Sequence, residues 1–311
     1  MRRVFQVLGL LAAGFVLWLF AIWPPPLWYR THWPRQTAFM AMRESGRAGG
    51  QADGRSTAAP VAYRPVPLDS ITPVMQDAVI IGEDNNFLRH HGIDYLALAH
   101  ALGYRRQTFS WDSPRDRKDL AALLPHAWER RARLRGASTI SQQLAKNLYL
   151  SASRNPLRKV KEAVITWRLE AALSKRRIME LYLNIVELGP GIWGVEAASQ
   201  RYFKRSARTI SREQAAALAG SLPFPLSSNP AHRPGRMRWR QDLILRRLRG
   251  EWVEVPKVEQ EVEPPPAVAD SLTPQDSIPV DTVPAYEPAP DTLPPADAPP
   301  PPADSAPAPS R

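Results

Sequence analysis

Apolar residues recur at helical spacing through most of the middle of the chain. From residue 68 to about residue 249 they return every three or four positions, and no run shows the strict alternation of a half-buried strand. Two dipeptides, Thr72-Pro73 and Asn155-Pro156, place a capping residue before a proline at the first helical position. Ser211 and Gln214 have the spacing of a capping box. The pattern predicts a mainly α fold.

A long uncharged run follows the first three residues. Residues 4–29 contain no charged side chain and residues 7–23 are almost wholly apolar, which approaches the ~20 residues that cross ~30 Å of hydrocarbon as a helix. Aromatic residues suited to an interfacial belt lie in its second half: Trp18, Trp23, Trp28 and Tyr29. We predict a single transmembrane helix in the cytoplasmic (inner) membrane, with the following domain on the periplasmic side. A cleaved signal peptide is the alternative, disfavoured because Trp23 and three prolines occupy the place of a small-residue cleavage site.

The C-terminal residues differ in composition from the rest. Residues 251–311 hold 12 acidic and 2 basic residues, and 17 of the 33 prolines lie from Pro256 onward, which predicts a disordered tail. Residues 1–250 carry a net charge of +21, within a total of +11. Such a basic body favours an anionic partner, and export favours an acidic membrane surface or a phosphate-bearing substrate over nucleic acid. The absence of cysteine excludes a thiolate nucleophile or metal site.

These shifts predict four parts: a cytoplasmic stub and transmembrane anchor (1–29), a connecting segment (30–67), a helical domain (68–250) and the acidic, proline-rich tail (251–311). Within the helical domain, residues 105–135 contain nine arginines and lysines, with leucines at helical spacing. Two interpretations of this segment stay open. It is either a basic amphipathic helix on anionic headgroups or a solvated insertion interrupted by Pro125.

Two acidic residues stand at the end of an apolar helical run. Glu83 and Asp84 follow Val74, Ala78 and Ile81. Acidic side chains at the C-terminus of a helix face the unfavourable end of its dipole, so their presence calls for a reason other than helix stability. A general base in a cleft is one interpretation, and a pair that caps the next turn is the other.

A second predicted helix carries a polar stripe without salt-bridge partners. One face holds Thr139, Gln142, Gln143, Lys146 and Asn147. Amides and one ammonium group suit sugar hydroxyls and phosphate oxygens. An ordinary solvent-exposed face is the alternative.

A third helix contains residues 158–162. Its core stripe is predicted to be Val160, Ala163, Val164, Trp167 and Ala171. Lys159 and Glu162 lie one turn apart, a spacing that by itself predicts an ion pair on the helix surface.

Taken in order, these segments resemble the motifs of the family 51 peptidoglycan glycosyltransferases. Residues 83–94 are similar to E-D-x-x-F-x-x-H-x-G, residues 136–147 to G-x-S-T-I-[ST]-Q-Q-x-x-K-N, and residues 158–162 to R-K-x-x-E. Further matches are residues 180–184, 194–198, 202–203 and 215–223. The resemblance extends over residues 66–245, and its main departure is a longer stretch between Asp94 and Gly136.

The resemblance implies a helical, lysozyme-like two-lobed domain whose smaller lobe dips into the membrane. It implies transfer of a lipid-linked glycan chain onto lipid II, with inversion and release of undecaprenyl pyrophosphate. Glu83 is implied as the general base and Glu162 as the second catalytic carboxylate. The implied substrate-binding residues are Asp84, Phe87, His90, Ser138, Thr139, Gln142, Gln143, Lys146, Asn147, Arg154 and Lys159.

The expected partners are lipid II, the lipid-linked glycan chain and the membrane. Other cell-wall synthesis proteins are candidates for the tail, and no nucleic acid is expected. No organic cofactor is expected, while the resemblance allows a divalent cation (Mg²⁺ or Mn²⁺) at the donor pyrophosphate without a certain metal ligand.

Only 61 residues follow Gly250, so no transpeptidase domain is expected and the resemblance is to the monofunctional biosynthetic transglycosylases. Two other classes of protein are compatible with the sequence. A lytic enzyme of lysozyme-like fold would give shorter glycans instead of longer ones. A non-catalytic membrane-anchored scaffold would need neither glutamate.

Overall fold

The computed structural model describes residues 2–49, 62–123, 125, 138–150, 156–256 and 258. Within them the chain is mainly α, which confirms the predicted fold class. The helices are α1 (Arg2–Phe20), α2 (Ala38–Gly49), α3 (Pro73–Glu83), α4 (Tyr95–Leu102), α5 (Pro114–Leu123), α6 (Ile140–Tyr149), α7 (Pro156–Ala172), α8 (Lys175–Ile185), α9 (Val195–Phe203), α10 (Arg212–Ser221) and α11 (Gly235–Leu248). Among the described residues, 3₁₀ turns span Pro26–Arg30 and Leu68–Ser70. The predicted tail lies outside the described residues from Glu259 onward.

In the part of the chain that the structure describes, three short strands form a sheet that the hydrophobic pattern does not predict. β1 (Ala62–Tyr63) pairs in parallel with β3 (Ile192–Trp193), and β2 (Glu187–Gly189) pairs antiparallel with β3 on its other side. Strands of two or three residues are too short to show alternation, so the hydrophobic pattern does not reveal them, and the fold remains mainly α as predicted. The pairing ties the segment before α3 to the chain that follows α8.

Helix α8 lies at the centre of the core. Its residues Ile178, Tyr182 and Ile185 are fully buried, and α6, α7 and α9 pack against it. Two of its polar side chains accept hydrogen bonds from the segment that leads into α3: Leu68 N donates to Glu180 Oε1 and Val66 N to Asn184 Oδ1, both at 2.8 Å. Residues 180–184 therefore brace the approach to α3.

Helices α3, α10 and α11 form a second tightly packed group. A Cβ atom on Gly220 would lie 2.8 Å from Met237 O, so the glycine lets α10 and α11 approach closely. The predicted starts of two helices are confirmed. Thr72 precedes α3 with a proline at its first turn, and Ser211 and Gln214 form the capping box of α10.

Within the described residues, one helix is long and apolar enough to cross a membrane. Its apolar window is Arg3–Phe20, with a mean hydropathy of 1.9 and no part buried. The 3₁₀ turn that follows enters the core instead, where Tyr29 is 3% exposed and packs edge-on against Tyr149. Arg177 Nε donates to the Tyr29 carbonyl at 2.7 Å. The placement of Tyr29 in a membrane-interface belt was therefore wrong.

Helix α7 turns a different face to the core from the predicted one. Its buried residues include Glu162, Ile165, Thr166 and Leu169, whereas Val160 and Trp167 are each 47% exposed. The helix is apolar on two sides, and periodicity alone does not show which side meets protein. The outer side lies beside α1, where Lys161 Nζ stands 4.5 Å from the centroid of the Trp18 ring. The predicted core stripe was wrong, and the observed orientation buries Glu162.

The described part of residues 105–135 neutralises some of its own charge. Arg106 donates through Nη1 to Asp116 Oδ1 and through Nη2 to Asp119 Oδ2, both at 2.8 Å. Residues 124 and 126–135 of this segment lie outside the described residues, so both interpretations of its environment stay open.

Candidate active site

Two helices from distant parts of the chain hold the carboxylate of Glu83, the last residue of α3. Arg240 Nη2 on α11 donates to Oε1 at 2.8 Å, and Gln143 Nε2 on α6 donates to Oε2 at 2.9 Å. The Tyr182 hydroxyl on α8 donates to Gln143 Oε1 at 2.9 Å, which fixes the orientation of the amide. Glu83 is 6% exposed, so its side chain is mostly enclosed.

The direction of this hydrogen-bonded chain is set by Tyr182. Burial, and after it the negative charge of Glu83, raises the pKa of the Tyr182 hydroxyl well above its ordinary value. The hydroxyl therefore stays protonated and remains a donor to Gln143, which in turn remains a donor to Glu83. Each group can point in one direction only, so the carboxylate has a fixed environment.

Asp84 points into the core and joins the end of α3 to the start of α6. It is fully buried and accepts hydrogen bonds from His90 Nε2 at 2.9 Å and from Ile140 N at 3.0 Å. His90 Nδ1 accepts from Gly92 N at 3.1 Å, so the ring proton lies on Nε2. Phe87 is 1% exposed and packs edge-on against His90. These three side chains fix the loop that follows Glu83, and their predicted contact with substrate stays a prediction.

Gly92 brings three segments of the site together. Its φ is +97°, and a Cβ atom there would lie 2.8 Å from Thr166 Cγ2 on α7, so glycine is required. Its carbonyl accepts a hydrogen bond from Thr139 Oγ1. Thr139 is the N-cap of α6 and forms a capping box with Gln142. The loop after Glu83, the start of α6 and the middle of α7 therefore lie against one another.

The polar stripe predicted on α6 serves several different purposes. Thr139 and Gln142 form hydrogen bonds with each other's backbone in the capping box. Lys146 and Asn147 lie further along the helix. Lys146 is partly buried, with Nζ 5.5 Å from the centroid of the Phe39 ring. Asn147 is fully buried, and neither polar atom of its carboxamide has a hydrogen-bond partner within the described residues. Their substrate-binding roles stay predictions.

Glu162 is buried on α7 between two cationic side chains of its own helix. It is 2% exposed, Lys159 Nζ binds its Oε1, and Arg158 Nη1 binds its Oε2 at 3.0 Å. Lys159 Nζ also donates to Ser138 Oγ at 3.2 Å, just before α6. The ion pair suggested by the spacing is therefore present. It is not a simple surface pair, because the carboxylate is buried.

Arg154 and a metal site are the remaining parts of the predicted site. Arg154, like Gly136 and Ala137 of the second motif, lies outside the described residues. Within the part of the chain that the structure describes, no three His, Cys, Asp or Glu side chains lie together as a metal site. Both oxygens of Glu162 already bind cationic groups. The described side chains do not form a metal site by themselves.

Tyr182 and Arg240 belong to this network although their residue types alone do not single them out. Tyr182 lies within a motif match, at residues 180–184. Arg240 is one of several arginines on α11, but it shares the buried stripe of that helix with Met237 and Ile244. A charged residue on an apolar stripe is the signal that distinguishes it, because burying an unpaired charge is costly.

Comparison with known proteins shows the family to which the sequence is similar. The transglycosylase family model matches residues 53–249. A biosynthetic peptidoglycan transglycosylase of Thiobacillus denitrificans is 41% identical over 242 residues, which cover 78% of this chain and 90% of that protein. Proteins of the same name from Azoarcus sp. and Acinetobacter baumannii are 38% and 36% identical over 82% and 74% of this chain, and over 100% and 87% of their own lengths. With more than half of its length matched by the family model, this chain belongs to the transglycosylase family.

Proposed function

We propose that this peptidoglycan transglycosylase polymerises lipid II into glycan strands, with a growing chain on undecaprenyl pyrophosphate as the donor. The geometry of Glu83 carries the proposal. Each of its two carboxylate oxygens accepts one hydrogen bond from a fixed donor, which leaves lone pairs free to take a proton. A mostly enclosed carboxylate in a fixed orientation suits a general base.

In the proposed reaction, Glu83 takes the proton of the acceptor sugar's 4-hydroxyl group as that oxygen attacks the anomeric carbon of the donor. The bond from this carbon to the pyrophosphate oxygen breaks, and the electron pair leaves with the lipid pyrophosphate. Attack from the opposite side inverts the anomeric carbon. A positioned base contributes typically ~10²–10⁴-fold to such a step.

Stabilisation of the departing diphosphate supplies the larger share of the acceleration in this proposal. Arg158 and Lys159 are suited to it because their side chains are 21% and 51% exposed while Glu162 holds them in place. Glu162 thus orients two cationic groups toward the diphosphate. Lys146 and Arg154 complete the proposed cationic set.

A divalent cation, Mg²⁺ or Mn²⁺, at the diphosphate is a separate part of the proposal. Such ions prefer carboxylate and phosphate oxygens, and Mg²⁺ in particular is often held by one or two carboxylates together with substrate phosphates. Because Glu162 is already paired on both oxygens, the substrate's phosphates would be the main ligands. No step of the proposed reaction depends on the ion, and no organic cofactor enters the proposed chemistry.

The proposed location is the periplasmic face of the cytoplasmic membrane, with α1 as the anchor. Helix α7 lies beside α1, and Arg168 Nη1 donates to Phe20 O at 2.7 Å where α1 ends. The exposed apolar side chains of α7, including Val160 and Trp167, therefore lie near the end of the proposed span. A lipid-linked substrate would reach the site from this side. Other cell-wall proteins stay predicted partners of the tail.

The test is to incubate the purified full-length protein with labelled lipid II and to separate the products on a gel. We expect long glycan strands from the wild type and at least about 10²-fold less product from Glu83→Gln, which keeps the size of the side chain but removes the base. Asp77→Asn is the matched control, because Asp77 is exposed on the same helix. Shortening of preformed glycans would indicate the lytic alternative, and no turnover of either substrate would indicate a scaffold.

A further inference from the structure

Arg240 is a fully buried arginine that contacts the proposed base. Its side chain is 0% exposed, and its Nη2 donates to Glu83 Oε1 at 2.8 Å and to Gly82 O at 2.6 Å. Its Nη1 donates to the carbonyl of Pro256, beyond the end of α11. One guanidinium group therefore links the proposed base, the last turn of α3 and the chain after α11.

Fold stability alone is a weak reason for this arrangement. A buried ion pair loses much of its Coulombic gain to desolvation, and apolar residues of similar volume often replace such a pair without loss of stability. The neighbouring Arg236 and Arg238 on α11 are exposed, so the helix does not need an arginine on its buried stripe. An apolar side chain could reproduce none of the hydrogen bonds of Arg240, and among them only the bond to Glu83 reaches the proposed base.

The geometry of the carboxylate shows what that hydrogen bond controls. The terminal torsion of a glutamate is broad, so the plane of its carboxylate is set by the groups that bind it. Arg240 binds one oxygen of Glu83 and Gln143 binds the other, from helices α11 and α6. Two donors at opposite oxygens fix the plane, whereas one donor would leave the carboxylate free to rotate.

We propose that Arg240 is a positioning residue for the transferase reaction: it fixes the carboxylate of Glu83 in the plane from which the acceptor's proton is taken. The inference rests on the proposed role of Glu83 as the base. Arg240 itself is buried and does not touch the substrate. Its loss should therefore lower the rate of the chemical step and leave substrate binding intact.

The experiment compares full-length Arg240→Met and Arg240→Lys with the wild type in lipid II polymerisation. We expect kcat of Arg240→Met to fall by about 10- to 100-fold, as for small displacements of a catalytic group, with KM within about twofold. Arg240→Lys keeps the charge but cannot donate hydrogen bonds to both Glu83 and Pro256. Its kcat should therefore lie between those of Arg240→Met and the wild type. Arg249→Met, at the exposed end of the same helix, should match the wild type.

A kcat of Arg240→Met at the wild-type level would overturn the proposal, as would a loss seen entirely in KM. If Arg240→Met does not fold, the folded Arg240→Lys variant decides: a wild-type kcat there would also overturn it. Adding Arg240→Met to Glu83→Gln should cause no further loss, because both changes remove the same function. A multiplicative loss in the double variant contradicts the positioning role.

The two proposals fail in different ways. If Glu83→Gln polymerises lipid II like the wild type, Glu83 is not the base and the proposed mechanism falls. If Glu83→Gln is inactive while Arg240→Met is fully active, the mechanism stands and only the positioning role of Arg240 is refuted.

Discussion

Glu83 and Glu162 are both buried carboxylates bound by cationic side chains, but their partners come from different distances along the chain. Glu83 is held by Gln143 and Arg240, which lie 60 and 157 residues away. Glu162 is held by two residues of its own helix, three and four positions before it. The packing of α3, α6 and α11 creates the first environment, and the geometry of one helix creates the second.

The exposure of the partners differs as well. Arg240 has no exposed surface, while Arg158 and Lys159 at Glu162 are 21% and 51% exposed on their side chains. A cation without exposed surface binds only groups inside the protein and cannot reach an external anion. Cations with surface can also bind an external anion. The same kind of pair thus holds the proposed base in one place and presents positive charge to the proposed diphosphate in the other.

Among the changes that test this comparison, Glu162→Gln should have the largest effect on the rate of polymerisation. A helix-surface ion pair contributes ~0.5 kcal/mol, which corresponds to about a twofold change. If Glu162 orients the cations that stabilise the leaving group, lipid II polymerisation should fall by more than about tenfold. The rate should be measured with the full-length enzyme at saturating lipid II.

Glu170→Gln provides the matched control. Glu170 lies on the same helix and forms an ion pair with Lys175 at 2.7 Å, yet it has no assigned role in the reaction. It should reduce stability without a comparable loss of rate. Normal polymerisation by Glu162→Gln would show that the ion pairs of Glu162 are structural. Only Glu83 would then keep a proposed role in the reaction.

The distance to each partner also decides what the sequence can predict. The pair Lys159–Glu162 and the capping box at Ser211 follow from local spacing, and both are present. The partnership of Glu83 with Arg240 depends on how α3 and α11 pack, which no local pattern specifies. The buried face of α7 was predicted wrongly for a related reason: two sides of the helix are apolar, and only the position of α1 shows which one faces outward.

Two truncations test how far the support of Glu83 extends along the chain. Val255 is 7% exposed and the Pro256 carbonyl accepts from Arg240, although both lie beyond the predicted end of the helical domain at residue 250. Ending the chain after Glu254 should cost roughly 2 kcal/mol for the lost valine burial, or roughly 4–8 °C in Tm. It should also lower kcat severalfold, because Arg240 loses one acceptor.

Ending the chain after Val258 keeps both contacts and is the control. It should leave kcat and Tm at the values of the full-length protein, since the predicted tail is expected to have no packing to lose. Thermal melts and initial rates of the two truncated proteins should therefore differ although only four residues separate them. Identical behaviour of both would show that Pro256 adds nothing to the support of Glu83.

Tyr182→Phe should have the smallest effect, because it removes one hydrogen bond two steps from the reacting atoms. Gln143 Oε1 loses its donor, which should cost roughly 1–2 kcal/mol of stability and a few-fold in kcat. Tyr149→Phe, which removes a hydroxyl that donates to Pro24 O at 2.8 Å away from the site, should lower stability without changing kcat. Equal kcat values for the two variants and the wild type would show that Tyr182 does not help to orient the base.

The pH dependence of the stability difference sharpens this last test. The pKa of Tyr182 is raised in the folded protein above its ordinary value of about 10, so the folded state favours the protonated hydroxyl. Its contribution is fully present below that ordinary value and is lost as the pH rises toward the folded pKa. The stability gap between wild type and Tyr182→Phe, measured by chemical denaturation, should be constant from about pH 6 to 9 and should close above about pH 10. A gap that changes between pH 6 and 9 would mean that the hydroxyl ionises there, and the fixed direction of the chain from Tyr182 to Glu83 would be wrong.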